Sequence, residues 1–290
     1  MKVTGFSFIR NALKYDYPIV EAITSILPIC DDFVVAVGNS DDDTLGLIKN
    51  IAPDKIRILE TIWDDSIREG GKTLALETNK AFHAIGSDSD WCFYIQGDEV
   101  VHEKYLDNIH KGMQQYKDNL HVDGLLLKYL HFYGSYDYVS MSPSWYSREI
   151  RVIRNDKKIY SYRDAQGFRK GDDEKLNVKA IDASMYHYGW VREPEAMQRK
   201  HEDFGKYWHS DDHLEKKIVK AEAFDYTGRK EALRLFKGTH PKIMEERIRT
   251  RNWHYDHDIS HNNLTLKERL KMFAENRLGI NTSYKNYKLV

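Results

Sequence analysis

The stretch Trp91–Val101, WCFYIQGDEVV, runs a series of apolar and aromatic residues straight into Gln-Gly-Asp-Glu. Trp91–Ile95 reads as a buried strand. A carboxylate taken out of water is strongly disfavoured unless it is paired or bound to a metal. A buried strand that ends in Asp98 and Glu99 therefore either surfaces there or presents Asp98 to something positive.

Toward the N-terminus the pattern is regular. Lys2–Ile9 reads as a short strand. Pro18 opens a helix with Ile19, Ala22, Ile23, Ile26 and Leu27 on one face. Phe33–Val37 is a continuous apolar run, the mark of a parallel strand covered on both faces. The polar turn GNSDDDT (38–44) follows, then a helix over 44–51, a strand over 55–59, and a helix over 71–85 carrying Leu74, Thr78, Ala81, Phe82 and Ile85 on one stripe. This alternation predicts an α/β fold, a mostly parallel central sheet flanked by helices. Ligands of such sheets bind beyond the carboxyl ends of the strands. The 38–44 turn and the Gln96–Glu99 turn should then face one crevice.

Beyond residue 120 the texture changes. Residues 121–190 are rich in Tyr, His and Arg and read as a mixed or partly antiparallel extension of the sheet. From Pro194 the chain turns helical, with Met197, His201, Phe204 and Trp208 on a stripe. Further helices are expected over 212–224 and 228–237. A last helix is signed by Thr265 as N-cap and Glu268 closing a capping box, with Leu266, Leu270, Phe273 and Leu278 as its stripe and Gly279 as its stop. The expected division is 1–192 for a sheet domain and 193–290 for a helical C-terminal extension.

Composition narrows the classes. The 290 residues carry 44 Lys and Arg against 45 Asp and Glu, so no basic footprint for nucleic acid is present. Cys30 and Cys92 lie in apolar segments and cannot make a disulfide framework or a thiolate zinc site. The N-terminal apolar run is too short for a signal peptide, and no segment has the length of a membrane span, which predicts a cytoplasmic protein.

Several residues invite chemistry, each with a plainer alternative. Asp98 at a strand end suits a hard divalent cation such as Mn2+ or Mg2+, or it merely caps a turn. Ser40 and Asp42 in the 38–44 turn suit a ribose, a base or a phosphate, or they cap the following helix. His187, in MYHYGWV, is a metal ligand, a base, or structural. Arg192 can contact phosphate. Asp164, in RDAQGFR, is a free loop carboxylate able to act as a general base. The run HYDHDISH (254–261) lacks the spacing of a helical ligand pair and reads as a solvated loop. Arg68 and Lys72, in REGGK, form a weak phosphate cradle without the Walker sequence.

The order of these parts resembles the family 2 glycosyltransferases, with the A-type glycosyltransferase fold, over about residues 2–192. The resemblance rests on VGNSDDDT (Ser40, Asp42, Thr44), ETNKA (Asn79, Ala81), YIQGDEV (Asp98), REIRVIRN and HYGW. The chain departs from the family at Gln96, where the first Asp of Asp-x-Asp stands, at Gly38 and Asn39, where an acid faces the base, and at Thr78, where an Arg precedes Asn79. A Gln-x-Asp-Glu form occurs in a divergent bacterial branch.

The resemblance implies inverting, metal-assisted transfer of a sugar from a nucleoside-diphosphate donor, a UDP-sugar first of all, to a glycan or lipid-linked hydroxyl, in the setting of polysaccharide biosynthesis. It implies Asp98, Glu99 and His187 around Mn2+ or Mg2+. It places Ser40, Asp42, Asn79 and Gln96 near the donor and Arg68, Lys72 and Arg192 near its phosphates. Asp164 is the candidate base, with Glu149 as the rival, and Tyr129, Tyr133, Tyr136, Trp145 and Tyr146 are candidates for an acceptor groove. It leaves open a peripheral contact with the inner face of the membrane and a homo-oligomer. Three other readings stay open: a sugar-phosphate nucleotidyltransferase, disfavoured by the lack of glycines after the first strand; a non-catalytic nucleotide- or sugar-binding protein on the same fold; and a metal-binding or scaffold protein built on the 254–261 run.

Overall fold

Both faces of the central sheet are covered, and this explains the unbroken apolar runs. In the strand Trp91–Tyr94, Trp91 and Phe93 enter one core while Cys92 and Tyr94 enter the other; in Asp32–Gly38, Phe33, Val35 and Val37 alternate in the same way with Val34 and Ala36. The structure is a computed structural model and describes residues 1–208, 221–227, 232–260, 264–278 and 285–290.

The first half of the chain builds a parallel unit. Strands β1 (Val3–Ile9), β2 (Asp32–Gly38), β3 (Ile56–Thr61) and β4 (Trp91–Tyr94) lie in the order β3-β2-β1-β4, all parallel. Helices α1 (Ile19–Ile26), α2 (Thr44–Lys49) and α3 (Lys72–His83) connect them. In α1, Ile19, Ala22, Ile23 and Ile26 are buried as their spacing predicts. In α3, Ala81 and Phe82 pack on the opposite face of the sheet from α1.

The second half makes the sheet mixed. After the short β5 (Glu99–Val101) and α4 (Leu106–Tyr116) come β6 (Gly124–Tyr133), β7 (Ser135–Ser140) and β8 (Arg148–Arg154). Strand β8 inserts antiparallel between β4 and β6. A three-stranded antiparallel sheet of β9 (Ile159–Tyr162), β10 (Gly167–Lys170) and β11 (Glu174–Lys175) covers part of the α3 face. The long β12 (Asn177–Trp190) runs parallel to β6 and antiparallel to β5.

From residue 194 the chain adds both helices and strands. Helix α5 (Pro194–Phe204) is shorter than its stripe suggested: His201 is exposed, and Trp208 lies beyond a single 3-10 turn, Gly205–Tyr207. Of the helix expected over 212–224, residues 212–220 lie outside the described residues and 221–224 are not helical. The helix expected over 228–237 is corrected: 228–231 lie outside the described residues, and Leu233–Leu235 forms β13, paired with β7. Leu-Arg-Leu satisfies a strand edge as readily as a helix turn, and the exposed edge of β7 decides the outcome. Helix α6 is Glu245–Arg249 and α7 is Leu266–Leu278. The capping box of α7 forms as predicted, with Thr265 N donating to Glu268 Oε2 at 2.8 Å and Glu268 N to Thr265 Oγ1 at 3.3 Å. Its stripe does not pack on the core, since Leu266, Leu270 and Phe273 are exposed; the Leu278 side chain and Gly279 lie outside the described residues. A last strand, β14 (Lys288–Leu289), pairs with β12.

Candidate functional site

A cavity of about 460 Å³ opens at the carboxyl ends of β1 and β4, where the topology places ligands. Its floor is the turn that ends β4. Gln96–Glu99 closes with Glu99 N donating to Gln96 O at 3.1 Å, and β5 then pairs with β12 so that Glu99 lies opposite His187. This pairing brings His187 beside Asp98. Gly189 makes the approach possible, because a Cβ there would stand 2.6 Å from His187 Nε2 and 3.1 Å from Asp98 Oδ2.

Asp98 answers the question its strand poses. Its Oδ2 accepts from Arg192 at 3.1 Å and from Lys200 at 3.4 Å, and its Oδ1 lies 3.8 Å from His187 Nε2. Burial would raise its carboxyl, yet the cations Lys200 and Arg192 beside it help hold it down to about 2. Burial and the neighbouring Arg192 bring the Lys200 ammonium down to about 7 against the pull of Asp98. Arg192 is fully buried: it donates to Tyr15 O as well and stacks 4.0 Å over the Tyr17 ring. It therefore braces Asp98 from behind, while Lys200 lines the cavity.

His187 is oriented by a second histidine. His131 Nε2 lies 2.7 Å from the Tyr146 carbonyl, so it carries the hydrogen, and His131 Nδ1 must accept from His187 Nδ1 at 3.0 Å. That leaves the His187 Nε2 lone pair facing Asp98. Burial lowers both imidazoles, His131 to about 3.

Glu99 has a different occupation from the one expected. It is fully buried, and both oxygens are taken: Arg151 Nε donates to Oε2 at 2.9 Å and Arg151 NH2 to Oε1 at 2.7 Å, Tyr129 OH adds 2.6 Å to Oε1, and Gln96 N adds 3.1 Å to Oε2. It anchors the turn that carries Asp98 and has no oxygen left for a metal.

Of the other expected residues, Gln96 and Asp164 line the cavity. Gln96 Nε2 donates to Tyr94 OH at 3.2 Å and to Ala165 O at 3.1 Å, spanning the floor to the loop that holds Asp164. Ser40 and Asp42 do not reach it. Ser40 Oγ donates to Gly38 O at 3.0 Å, and Asp42 accepts from Thr44 N at 3.0 Å and Lys14 N at 2.7 Å. Asn79 faces β9, exchanging hydrogen bonds with Ser161 O and Ser161 N at 3.0 and 2.7 Å. Lys72 is exposed at the start of α3, and Arg68 donates to Asp65 O at 3.3 Å; neither lines the cavity. Glu149 is buried on β8 beside Gln166, whose Nε2 donates to Oε1 at 2.7 Å, and among the described residues its Oε2 has no partner. Burial pushes this carboxyl up to about 7.

The aromatic wall also differs from the expected one. Tyr133 and Tyr136 are core residues, Tyr129 serves Glu99, and Tyr146 packs at 4.6 Å against His131. The cavity is walled instead by Phe8, Tyr17, Trp63, Trp190, Phe204 and Trp208. Trp63 also explains Gly38: a Cβ at residue 38 would stand 2.3 Å from Trp63 Nε1, so the indole occupies the space an acidic side chain would need. Among the described residues, that buried indole N–H has no acceptor.

Lys200, His131, Arg151 and Trp63 escaped the sequence reading. Lys200 had a visible signal, since Ala196, Lys200 and Phe204 fall four apart on one helical face, an odd place for a lysine. Arg151 stood between Ile150 and Val152 in a strand buried on both faces, which already demanded an acid partner.

Metal fitness can be read from the donors. Among the described residues no group of three or more His, Cys, Asp or Glu side chains is placed to hold a metal ion, the 254–258 stretch included. Asp98 Oδ1 and His187 Nε2 do present lone pairs to one space. The pair fits a divalent ion that takes the rest of its shell from a bound diphosphate and water, and does not fit an ion held by the protein alone.

No family model and no curated protein matches the sequence. Solved structures do match in fold. S. aureus TarS aligns at 16% identity over 74% of this chain and 42% of that chain, TM-score 0.38. The chain thus spans about two fifths of the TarS chain. Glucosyl-3-phosphoglycerate synthase from Mycobacterium tuberculosis, in complex with Mn2+, UDP and phosphoglyceric acid, aligns at 17% identity over 45% of this chain and 43% of that one, TM-score 0.30. A 4-diphosphocytidyl-2C-methyl-D-erythritol synthase from Anaerococcus prevotii aligns at 12% identity over 66% of this chain and 91% of that one, TM-score 0.39. These are likenesses of fold alone. No described helix is long and apolar enough to cross a membrane.

Proposed function

We propose that this chain is a glycosyltransferase of the A-type fold that moves a sugar from a nucleoside-diphosphate donor to an acceptor hydroxyl with inversion. The observation that carries the reading is Asp98 at the carboxyl edge of the parallel strands, gathering Lys200, Arg192 and His187 on the floor of the cavity. One carboxylate against two cations suits a diphosphate. The aromatic wall suits base and sugar faces.

The chemistry is a single displacement. The acceptor oxygen attacks the anomeric carbon, the bond from that carbon to the diphosphate oxygen breaks, and the electron pair leaves with the diphosphate. Asp164, on the cavity wall, takes the hydroxyl proton as general base. Glu149, the rival, is buried on β8 and is not among the residues lining the cavity, which favours Asp164. A divalent Mn2+ or Mg2+ would be held by Asp98 and His187 and would neutralise charge on the leaving diphosphate. The Glu99–Arg151 pair keeps the Asp98 turn in place. A UDP-sugar is the first donor to try, with a glycan or lipid-linked hydroxyl as acceptor.

The test is release of free nucleoside phosphate from UDP-, GDP-, dTDP- and CMP-sugars, with wild type beside Asp164→Asn. One donor should be turned over, and D164N should lose roughly 10²-fold or more in rate while donor affinity holds. If no donor is bound or cleaved, the reading falls; formation of a nucleotide sugar from a sugar phosphate and a nucleoside triphosphate would replace it with nucleotidyl transfer.

A further inference from the structure

Lys200 is the structural oddity of the cavity. It comes from α5, outside the parallel unit, and projects from the same helical face as Ala196 and Phe204. Its ammonium lies 3.4 Å from Asp98 Oδ2, 4.9 Å from the Tyr17 ring centroid and 5.6 Å from that of Phe204. The Asp98 oxygen it uses is already bonded to Arg192, so one carboxylate serves two cations. Arg192 is closed off on every side, whereas the Lys200 side chain keeps 19% of its surface and faces the cavity. Among the described residues the other cation on the wall, Arg10, is engaged by Asp65 at 2.8 Å and by Asn39 O at 2.7 Å. Among the described residues, the positive charge left over at the floor therefore reaches the cavity through Lys200.

We propose that Lys200 is the residue that meets the donor diphosphate, held in place by Asp98, which Arg192 braces from behind, so that diphosphate binding survives removal of divalent metal. The proposal rests on the glycosyl-transfer reading of the cavity. An ammonium on a flexible stem shifts from Asp98 to an incoming phosphate oxygen without a change of fold, and the buried Arg192 stays behind to neutralise Asp98. The arrangement gives the site a cation supplied by the protein itself, in a chain where Gln96 and the fully engaged Glu99 leave few ligands for a metal.

Titration calorimetry with UDP, GDP and dTDP tests this, each in EDTA and again in Mn2+. At least one of these nucleotides should bind wild type in EDTA. Lys200→Met should weaken that nucleotide by about tenfold or more in EDTA, the worth of one charge-assisted hydrogen bond, and leave the matching nucleoside unchanged. Lys200→Arg should hold affinity within roughly threefold, which separates a charge effect from a packing defect. If K200M is poorly folded by circular dichroism, K200R against wild type still decides, since a purely steric role predicts that the bulkier arginine fails. Binding that vanishes in EDTA and returns in full with Mn2+ overturns the proposal and leaves glycosyl transfer standing, as does K200M binding as tightly as wild type. If none of these nucleotides binds in either medium, both fall together.

Discussion

Removing the Arg151 guanidinium should show how much of the site hangs on one buried pair. In Arg151→Met the stem volume is largely kept, but Glu99 loses two hydrogen bonds of 2.9 and 2.7 Å in a place where neither partner has any exposed surface. Arg151 also lies 5.2 Å from the ring centroids of both Tyr94 and Tyr129. Breaking a buried pair by deleting one partner costs about 3–5 kcal/mol, because the remaining charge is stranded. For 290 residues the unfolding entropy at the midpoint is about 0.6 kcal/mol/K, so the melting temperature should fall by roughly 5–8 °C. The double variant Glu99→Gln with Arg151→Met strands no charge, and the neutral side chain that replaces the carboxylate keeps partners in Tyr129 and the Gln96 backbone amide; it should recover at least about 1 kcal/mol relative to R151M. Calorimetry of the two singles and the double closes the cycle. An R151M protein within about 1 kcal/mol of wild type, with a double no better, would refute the view that this pair anchors the Asp98 turn.

Glu149 predicts a pH dependence. Its folded carboxyl sits at about 7 against an ordinary 4.5, so between those values the folded protein keeps a proton that the unfolded chain has lost. Stability should fall as pH rises through that window, by about 3 kcal/mol in all, and level off above it. Glu149→Gln should flatten that slope and exceed wild type in stability above pH 7, as read by urea unfolding from pH 5 to 8; an unchanged slope would count against it. Gly38→Ala should cost about 1–3 kcal/mol, because its Cβ would press to 2.3 Å from Trp63 Nε1, and the shift should register in indole fluorescence. A neutral G38A would mean that Trp63 moves aside freely.

The parallel half of the fold was legible because its signals are local. Continuous apolar runs at 33–37 and 91–95 pointed to strands covered on both faces, and most of each stripe is buried, Ile19, Ala22, Ile23 and Ile26 in α1 and Leu74, Thr78, Ala81 and Phe82 in α3, although Leu27 is only half-buried and α3 also buries Thr73, Ala75 and Glu77. The α7 capping box was equally plain, since its chemistry spans only Thr265 to Glu268. Leu233–Leu235 was misread because a strand of three residues takes its identity from the edge it finds, β7, and not from its own composition. In the site, Asp98 and His187 could be singled out as chemical types at strand ends. Their division of labour with Glu99 could not, because Glu99 and Asp98 are adjacent in sequence yet turn toward different partners, Arg151 and Lys200. Likewise the three acids of the 38–44 turn look alike on paper, while Asp43 caps α2 and Asp42 ties the turn to Lys14. Such assignments depend on which backbone donors lie nearby in space.

The antiparallel register between β5 and β12 has a consequence of its own. Only three residue pairs define it, with His187 opposite Glu99, Tyr186 opposite Val100 and Met185 opposite Val101. A slip by one residue would turn His187 to the far face and bring Tyr186 or Tyr188 toward Asp98. Val100 and Val101 act as the locating pins, each seated in a separate core, and Ser25 Oγ accepts the Val101 amide hydrogen at 3.1 Å. The alignment of two chain segments, set by aliphatic side chains that never touch a substrate, thus determines whether an imidazole or a phenol faces the carboxylate. Altering those valines would change the chemical character of the floor while every polar residue in it remained as encoded.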